Sequence, residues 1–239
     1  MRLLVREHPA LPSARGLVLT VAMASAGRDA MDVAQRPKCL MEPPRRSFTL
    51  PERGVVTLGG DEAPRPCGPV PARSWVRASA GTTDLMVYAD GPGGSGRYWT
   101  VTVGVAPRRQ AAPTRGFCVE TTTIGWRTLQ HFTPTPLRWT GDRDRDSRPE
   151  FVLWDSFALK WNDPVADFAL MAWVYEFDGR STLAIDWAMS RAVARELVAA
   201  YRNPLRDASA GVAAVRAEAA RELESFAEDR CAQPMDGAR

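Results

Sequence analysis

The chain has 239 residues, of which 45% are hydrophobic and 25% are charged, and its formal net charge is +3. These are ordinary values for a globular protein, so they exclude a wholly disordered chain, and the length suffices for one domain with a sizeable core. A net charge this small gives no reason to expect a nucleic-acid partner.

The N-terminus has the pattern of a secretory signal peptide. Three arginines within the first 15 residues precede an apolar run over 16–24, which ends at the small-x-small site Ala24-Ser25-Ala26. Residues 1–26 are therefore predicted to be removed on secretion or export to the periplasm, leaving 28 basic and 27 acidic residues. The alternatives are a start codon placed too early or a disordered tail. No other apolar run reaches about 18 residues, so no transmembrane segment is predicted.

Four cysteines follow the predicted cleavage site: Cys39, Cys67, Cys118 and Cys231. An even number in an exported chain predicts two disulfides, and the spacing leaves all three pairings open. Without export, the same residues would be ordinary buried thiols.

Residues 27–72 are dense in proline and arginine, and proline at this density blocks helices and removes backbone donors. They are predicted to form an irregular lead-in with one short strand, at 47–50 or 55–58. From there to residue 187 the pattern predicts a β-rich core, because short runs of β-branched and aromatic residues alternate with turn signals. The predicted strands cover 74–78, 84–89, 97–105, 117–123, 126–132, 151–154, 168–177 and 181–185. A hairpin loop is expected at 90–96, and Asp178-Gly179 predicts a second hairpin turn.

The period changes to that of a helix in residues 188–239. Asp186 or Ser190 could cap a first helix that Asn203-Pro204 ends, and Asp207 or Ser209 could cap a second. The second carries an apolar stripe, typical of a core or docking face, that consists of Val212, Val215, Ala219, Leu223 and Phe226. The expected fold class is therefore α+β, with a mostly antiparallel β-sheet core and two C-terminal α-helices.

An acidic loop at 142–150 is the most informative motif. Asp142, Asp144, Asp146 and Glu150 stand at positions 1, 3, 5 and 9, directly before a strand-like run. So many like charges in one turn need a counter-charge, and oxygens at this spacing can converge on one hard cation such as calcium. A helix-loop-helix calcium site is excluded, because its position 12 would be Leu153.

This spacing resembles the Asp-x-Asp-x-Asp-Gly-x-x-Asp loops of the FG-GAP and VCBS repeat families, which bind calcium between strands in secreted adhesive or scaffolding proteins. The resemblance covers residues 142–154 in a single copy. It implies that calcium would be bound by Asp142, Asp144, Asp146 and Glu150, with the backbone carbonyl of Arg148.

Two features of the loop predict weak binding. Ser147 occupies the glycine position of those families, where a left-handed turn costs a non-glycine residue about 1 kcal/mol. Three interleaved arginines can also pair with the same carboxylates. An affinity of about 10⁻⁴ to 10⁻³ M is expected, as in extracellular modules. The alternative is a solvated loop that neutralises itself without a metal.

Signals for catalysis are sparse. His131 is the only histidine after the predicted cleavage site, and its strand-like surroundings favour a packed or surface imidazole. Paired carboxylates beside tryptophans could cut glycosidic bonds. The candidates for that chemistry are Asp155, Asp163, Asp167, Glu176, Asp178 and Asp186, with Trp154, Trp161, Trp173 and Trp187. Such tryptophans are more often core or rim residues.

The expected function is a non-catalytic secreted or periplasmic binding or structural module, with a protein or glycan partner and an acidic loop that orders the 142–154 connection. The competing hypothesis is an envelope hydrolase acting on glycans or peptides through Asp, Glu and Trp residues. A third is a partner-binding protein that uses the last helix, for which Leu223 and Phe226 would have to be exposed.

Overall fold

The computed structural model describes residues 40–58, 65–93, 98–122, 139–159, 168–206 and 208–230. All helices and strands within these ranges belong to one compact unit, Cys39–Asp229. Several predictions lie outside the described residues: the signal peptide, the strand at 126–132, His131, Trp161, Asp163, Asp167, Asp207, Cys39 and Cys231.

The described strands form two sheets. Their bounds are β1 (Ser47–Thr49), β2 (Gly54–Thr57), β3 (Arg65–Pro66), β4 (Val76–Ala80), β5 (Thr83–Gly93), β6 (Tyr98–Pro107), β7 (Arg115–Thr122), β8 (Thr140–Gly141), β9 (Glu150–Ala158), β10 (Phe168–Phe177) and β11 (Thr182–Ile185). The five-stranded sheet has the order β1-β11-β10-β9-β8, and the six-stranded sheet has the order β3-β2-β7-β6-β5-β4. Neighbouring strands are antiparallel except β2 and β7, which are parallel.

Two helices follow the last strand, α1 (Trp187–Arg202) and α2 (Ala210–Ala227). Of the two caps predicted for α1, Asp186 is correct, since its carboxylate accepts from the Met189 N–H at 2.9 Å. Ser190 is buried inside the helix instead. Ser209 caps α2, and α1 ends at Arg202, as Asn203-Pro204 predicted. The α+β fold class dominated by β-sheet is thereby confirmed.

Aromatic rings fill the space between the sheets. Phe48 of β1 stacks on Phe117 of β7 with ring centroids 4.6 Å apart, and Phe117 meets Phe151 of β9 edge-on at 6.4 Å. Tyr175 of β10 completes the cluster against Phe48 at 4.9 Å. These contacts define the inner face of the six-stranded sheet as the one that carries Phe117.

The last helix also packs inward. Leu223 and Phe226 are 0% and 3% exposed, and the Phe226 ring lies 5.5 Å from that of Trp173 in β10. The apolar stripe of α2 is therefore core at these two positions, and the partner-binding hypothesis that needed them exposed is not supported.

The described part of the proline-rich lead-in contributes three strands, where the sequence predicted one. Both candidate segments are strands, because the proline-free stretches 47–49 and 54–57 find partners in β11 and β7. Pro66 is accommodated because β3 is an edge strand, where a missing N–H is tolerated. The two sheets thus begin well before residue 73.

A disulfide joins Cys67, just after β3, to Cys118 in β7. It closes a span of 51 residues and is one of the pairs that the sequence left open. Of the helices in the described ranges, none combines the length and apolar character needed to cross a membrane.

Candidate cation site

The acidic loop connects β8 to β9, and the pairing of these two strands brings its ends together. Gly141 lies opposite Glu150, and Thr140 lies opposite Phe151. The Thr140 hydroxyl also donates to the Glu150 carbonyl at 2.8 Å. Because the ladder joins the loop's two ends, Asp142 and Glu150 become neighbours although they are eight positions apart in the chain.

The four carboxylates predicted as ligands converge. One oxygen from each of Asp142, Asp144, Asp146 and Glu150 lies within 4.8 Å of the corresponding oxygen of every other. The three aspartates are exposed, while Glu150 is only 1% exposed and forms the floor of the cluster. Two oxygens on opposite sides of a calcium ion are about 4.6 to 5.2 Å apart, so these separations fit one shared cation.

Hydrogen bonds inside the loop set its shape. The N–H groups of Asp146 and Arg148 donate to the carboxylates two residues earlier, at 3.1 and 2.7 Å. The Ser147 N–H donates to Asp142 Oδ2 at 3.2 Å. Ser147 has a φ of +74°, as the glycine of the resembling loops suggested. The aspartate carboxylates thus accept hydrogen bonds from N–H groups of the turn, and one oxygen of each still lies close to the other carboxylates.

The loop's arginines reach largely away from its carboxylates. Arg148 donates from Nη1 to Glu176 in β10, and its Nε lies 3.9 Å from Asp146 Oδ2. The Arg143 guanidinium lies 3.4 Å from Glu196 in α1. Of these three ion pairs, only the long Arg148–Asp146 contact joins an arginine of the loop to a carboxylate of the loop. The Arg148 carbonyl remains a predicted ligand.

Glu150 has the most perturbed acidity of the cluster. Burial raises its pKa from the ordinary 4.5 to about 7. The Arg143 N–H, which donates to Glu150 Oε2 at 2.7 Å, acts in the opposite direction, while Asp144 and Asp142 raise the pKa further. A carboxylate in this position gains most from a cation that would replace the lost hydration.

The described residues that were candidates for a hydrolase site either lie in the core or have partners that stabilise the fold. Trp154 and Trp173 are 3% and 2% exposed, so they belong to the core. Asp178 closes the β10–β11 turn by accepting from the N–H groups of residues 180, 181 and 182. Asp186 is the α1 cap, Glu176 pairs with Arg148, and Asp155 accepts from the Ser156 N–H at 2.8 Å.

A second polar cluster escaped the sequence analysis. Asp84 in β5 is 4% exposed and accepts from the Ser79 hydroxyl at 2.8 Å. Arg77 lies 3.5 Å from the same carboxylate and also donates to the carbonyls of Gln110 and Ala111. These contacts hold the β6–β7 loop over the sheet. In the sequence, this cluster is indicated only by an acidic residue, Asp84, beside an apolar run. That pattern does not show which residues the fold brings next to it.

Comparison of the chain with protein-family models, with curated proteins and with solved structures found no match in any of the three.

Proposed function

We propose that this protein is a non-catalytic binding or structural module of an exported protein, and that its 142–150 loop binds calcium. The observation that carries the proposal is the convergence of four carboxylate oxygens within 4.8 Å, one of them from the buried Glu150. A bound ion would fix the β8–β9 connection at the edge of the five-stranded sheet.

Calcium suits the loop better than magnesium. Calcium accepts six to eight oxygens at about 2.3 to 2.6 Å in flexible geometry, whereas magnesium demands an octahedron near 2.1 Å and keeps several waters. Alternate carboxylates on an exposed turn can form the flexible shell that calcium accepts more easily than the strict octahedron that magnesium needs. The affinity would be weak, about 10⁻⁴ to 10⁻³ M, because three ligands are solvated and Arg148 stays near Asp146.

Export is supported by the Cys67–Cys118 disulfide, since disulfides persist mainly in oxidising compartments. The signal-peptide pattern of residues 1–26 points to the same destination. Extracellular and periplasmic modules commonly use weak calcium sites to order loops, which agrees with the affinity expected here.

Thermal unfolding in calcium and in chelator tests the metal half of the proposal. With a dissociation constant of about 1 mM, 10 mM calcium would stabilise the fold by about 1.4 kcal/mol. That corresponds to a rise in melting temperature of about 3 to 6 °C for a domain of this size. Asp144→Asn should abolish the rise, and Glu52→Gln, which removes one exposed charge from the segment between β1 and β2, should retain it. Identical melts of the wild type in calcium and in chelator would contradict calcium binding.

A further inference from the structure

The outer face of the six-stranded sheet, opposite the one that carries Phe117, has two differently covered halves. The β6–β7 loop lies over one half, where an added Cβ at Gly104 would stand 2.4 Å from Pro113. At the other end of the strands the face carries a half-buried aromatic pair, Trp75 and Tyr88, with ring centroids 6.2 Å apart and planes inclined by 60°.

A row of polar side chains runs across the strands next to this pair. Asp90 in β5 lies opposite Thr100 in β6, and Thr100 lies opposite Glu120 in β7. All three are exposed. They share a face with Tyr88, because side chains two residues apart on a strand point the same way. The row therefore presents a carboxylate, a hydroxyl and a second carboxylate at the strand spacing of about 4.8 Å.

These polar groups are not used by the fold. Among the described residues, none of the hydrogen bonds or ion pairs engages the side chain of Asp90, Thr100 or Glu120. Arg77, a described cation on the same face, is bound to two loop carbonyls and to Asp84. An exposed row of acceptors that no described residue engages, beside an aromatic pair, can take an external ligand.

We propose that the outer-face patch, defined as Trp75, Tyr88, Asp90, Thr100 and Glu120, binds a neutral, extended oligosaccharide. It deepens the proposed binding role and does not depend on the cation. Aromatic rings pack against the apolar C–H faces of sugar rings, and their own polar edges tolerate water. The two carboxylates accept strong hydrogen bonds from sugar hydroxyls and repel acidic glycans.

The dimensions of the row favour a glycan over a cationic peptide. Three strands span about 10 Å, which is close to the length of two pyranose rings in an extended chain, and the aromatic pair adds room for a third. A cationic peptide would be attracted by the two carboxylates, but the central Thr100 hydroxyl offers a donor that such a peptide needs less than a sugar does.

Calorimetric titration of the full chain with hexasaccharides of β-1,4-linked glucose and of N-acetylglucosamine tests the assignment. We expect at least one of them to bind with a dissociation constant below about 1 mM, equally in calcium and in chelator and with little dependence on salt. Trp75→Ala should weaken binding about tenfold or more, as expected for an aromatic anchor. Asp90→Asn and Glu120→Gln change exposed residues, so they test the patch if Trp75→Ala misfolds. Glu52→Gln, at an exposed position between β1 and β2, is the matched surface control.

Three results would overturn the inference. They are absence of binding to either hexasaccharide by the natively folded chain, equal binding of an oligogalacturonate, and preferential, salt-sensitive binding of an arginine-rich peptide. Sugar binding without any calcium effect on melting would support the patch and contradict the cation site. Release of reducing ends from a bound hexasaccharide would likewise support the patch while contradicting the non-catalytic role.

Discussion

Glu150 is a carboxylate that the fold buries beside three other acids, Asp142, Asp144 and Asp146. Its carboxylate accepts from the Arg143 N–H at 2.7 Å and from its own backbone N–H. In the absence of a cation its ionised form is the unfavourable one, because burial raises the pKa to about 7. The acidity of this one side chain therefore links the stability of the β8–β9 connection to pH and to metal.

We predict that the metal-free protein loses stability as the pH rises from 5 to 8. Between the ordinary pKa near 4.5 and the folded value near 7, the folded chain holds a proton that the unfolded chain has released. Stability therefore falls with rising pH across that window, by on the order of 3 kcal/mol from this group.

Urea unfolding in chelator at pH 5, 6, 7 and 8 measures the effect. Glu150→Gln should flatten the profile relative to the wild type, whereas Glu52→Gln, at an exposed position between β1 and β2, should leave it unchanged. Excess calcium should reduce the loss at pH 8, because the ion binds the ionised carboxylates. Parallel pH profiles for the wild type and Glu150→Gln would show that burial does not raise the pKa of this carboxyl.

At the scale of elements, α1 takes the place of a strand along part of β10. The shorter β11 pairs only with residues 175–177 of β10, which leaves the preceding N–H groups on that edge without a strand. Two hydroxyls on α1 accept from them, Ser190 from Val174 at 3.0 Å and Tyr201 from Leu170 at 2.7 Å. A helix that covers an edge in this way also prevents pairing with another chain.

Removing either hydroxyl should be costly, because it leaves a buried N–H without an acceptor. Ser190→Ala and Tyr201→Phe are each expected to lower the free energy of unfolding by about 1 to 3 kcal/mol. Both sites are almost fully buried, at 0% and 2% exposure, so water cannot replace the lost partner. Ser47→Ala, at an exposed position of β1, is the control and should change stability by less than about 0.5 kcal/mol. Equal denaturation midpoints for all three variants would contradict this role of α1.

Short sequence patterns predicted those strands and turns that depend only on residues close together in the chain. The apolar run of β10, interrupted only by Glu176, predicted Phe168–Phe177, because a strand buried on both faces needs no alternation. Asp178-Gly179 predicted the next turn, where Gly179 has a φ of +77°. The parallel pairing of β2 with β7 could not be predicted, since those strands are joined only through distant chain segments.

In the candidate site, too, features set by nearby residues could be predicted and contacts between distant residues could not. The spacing of the aspartates predicted the convergence of the carboxylates and the left-handed Ser147. It could not predict that Arg148 pairs with Glu176, 28 residues away, or that Arg143 reaches Glu196, 53 residues away. Those contacts depend on how β10 and α1 pack beside the loop, so the sequence left the competition between arginine and metal open.

For the whole molecule, the Cys67–Cys118 bond fastens the lead-in to the centre of the six-stranded sheet. Cys67 follows the two-residue strand β3, and Cys118 lies in β7 beside Thr57 of β2. So short an edge strand contributes little by itself, and the pairing of β2 with β7 must be formed between segments far apart in the chain. The covalent link reduces the conformational entropy that this pairing costs.

Removing this disulfide should therefore destabilise the whole unit rather than the lead-in alone. A closed span of 51 residues corresponds to about 4 kcal/mol in the chain-entropy description. The double variant Cys67→Ser with Cys118→Ala should lower the urea midpoint accordingly, and reductant, which opens every disulfide of the chain, should lower the midpoint of the wild type at least as far. Calcium should still raise the melting temperature of the variant while it remains folded, because the loop lies in the other sheet. A midpoint unchanged by both treatments would show that β2 and β7 pair without help from the bond.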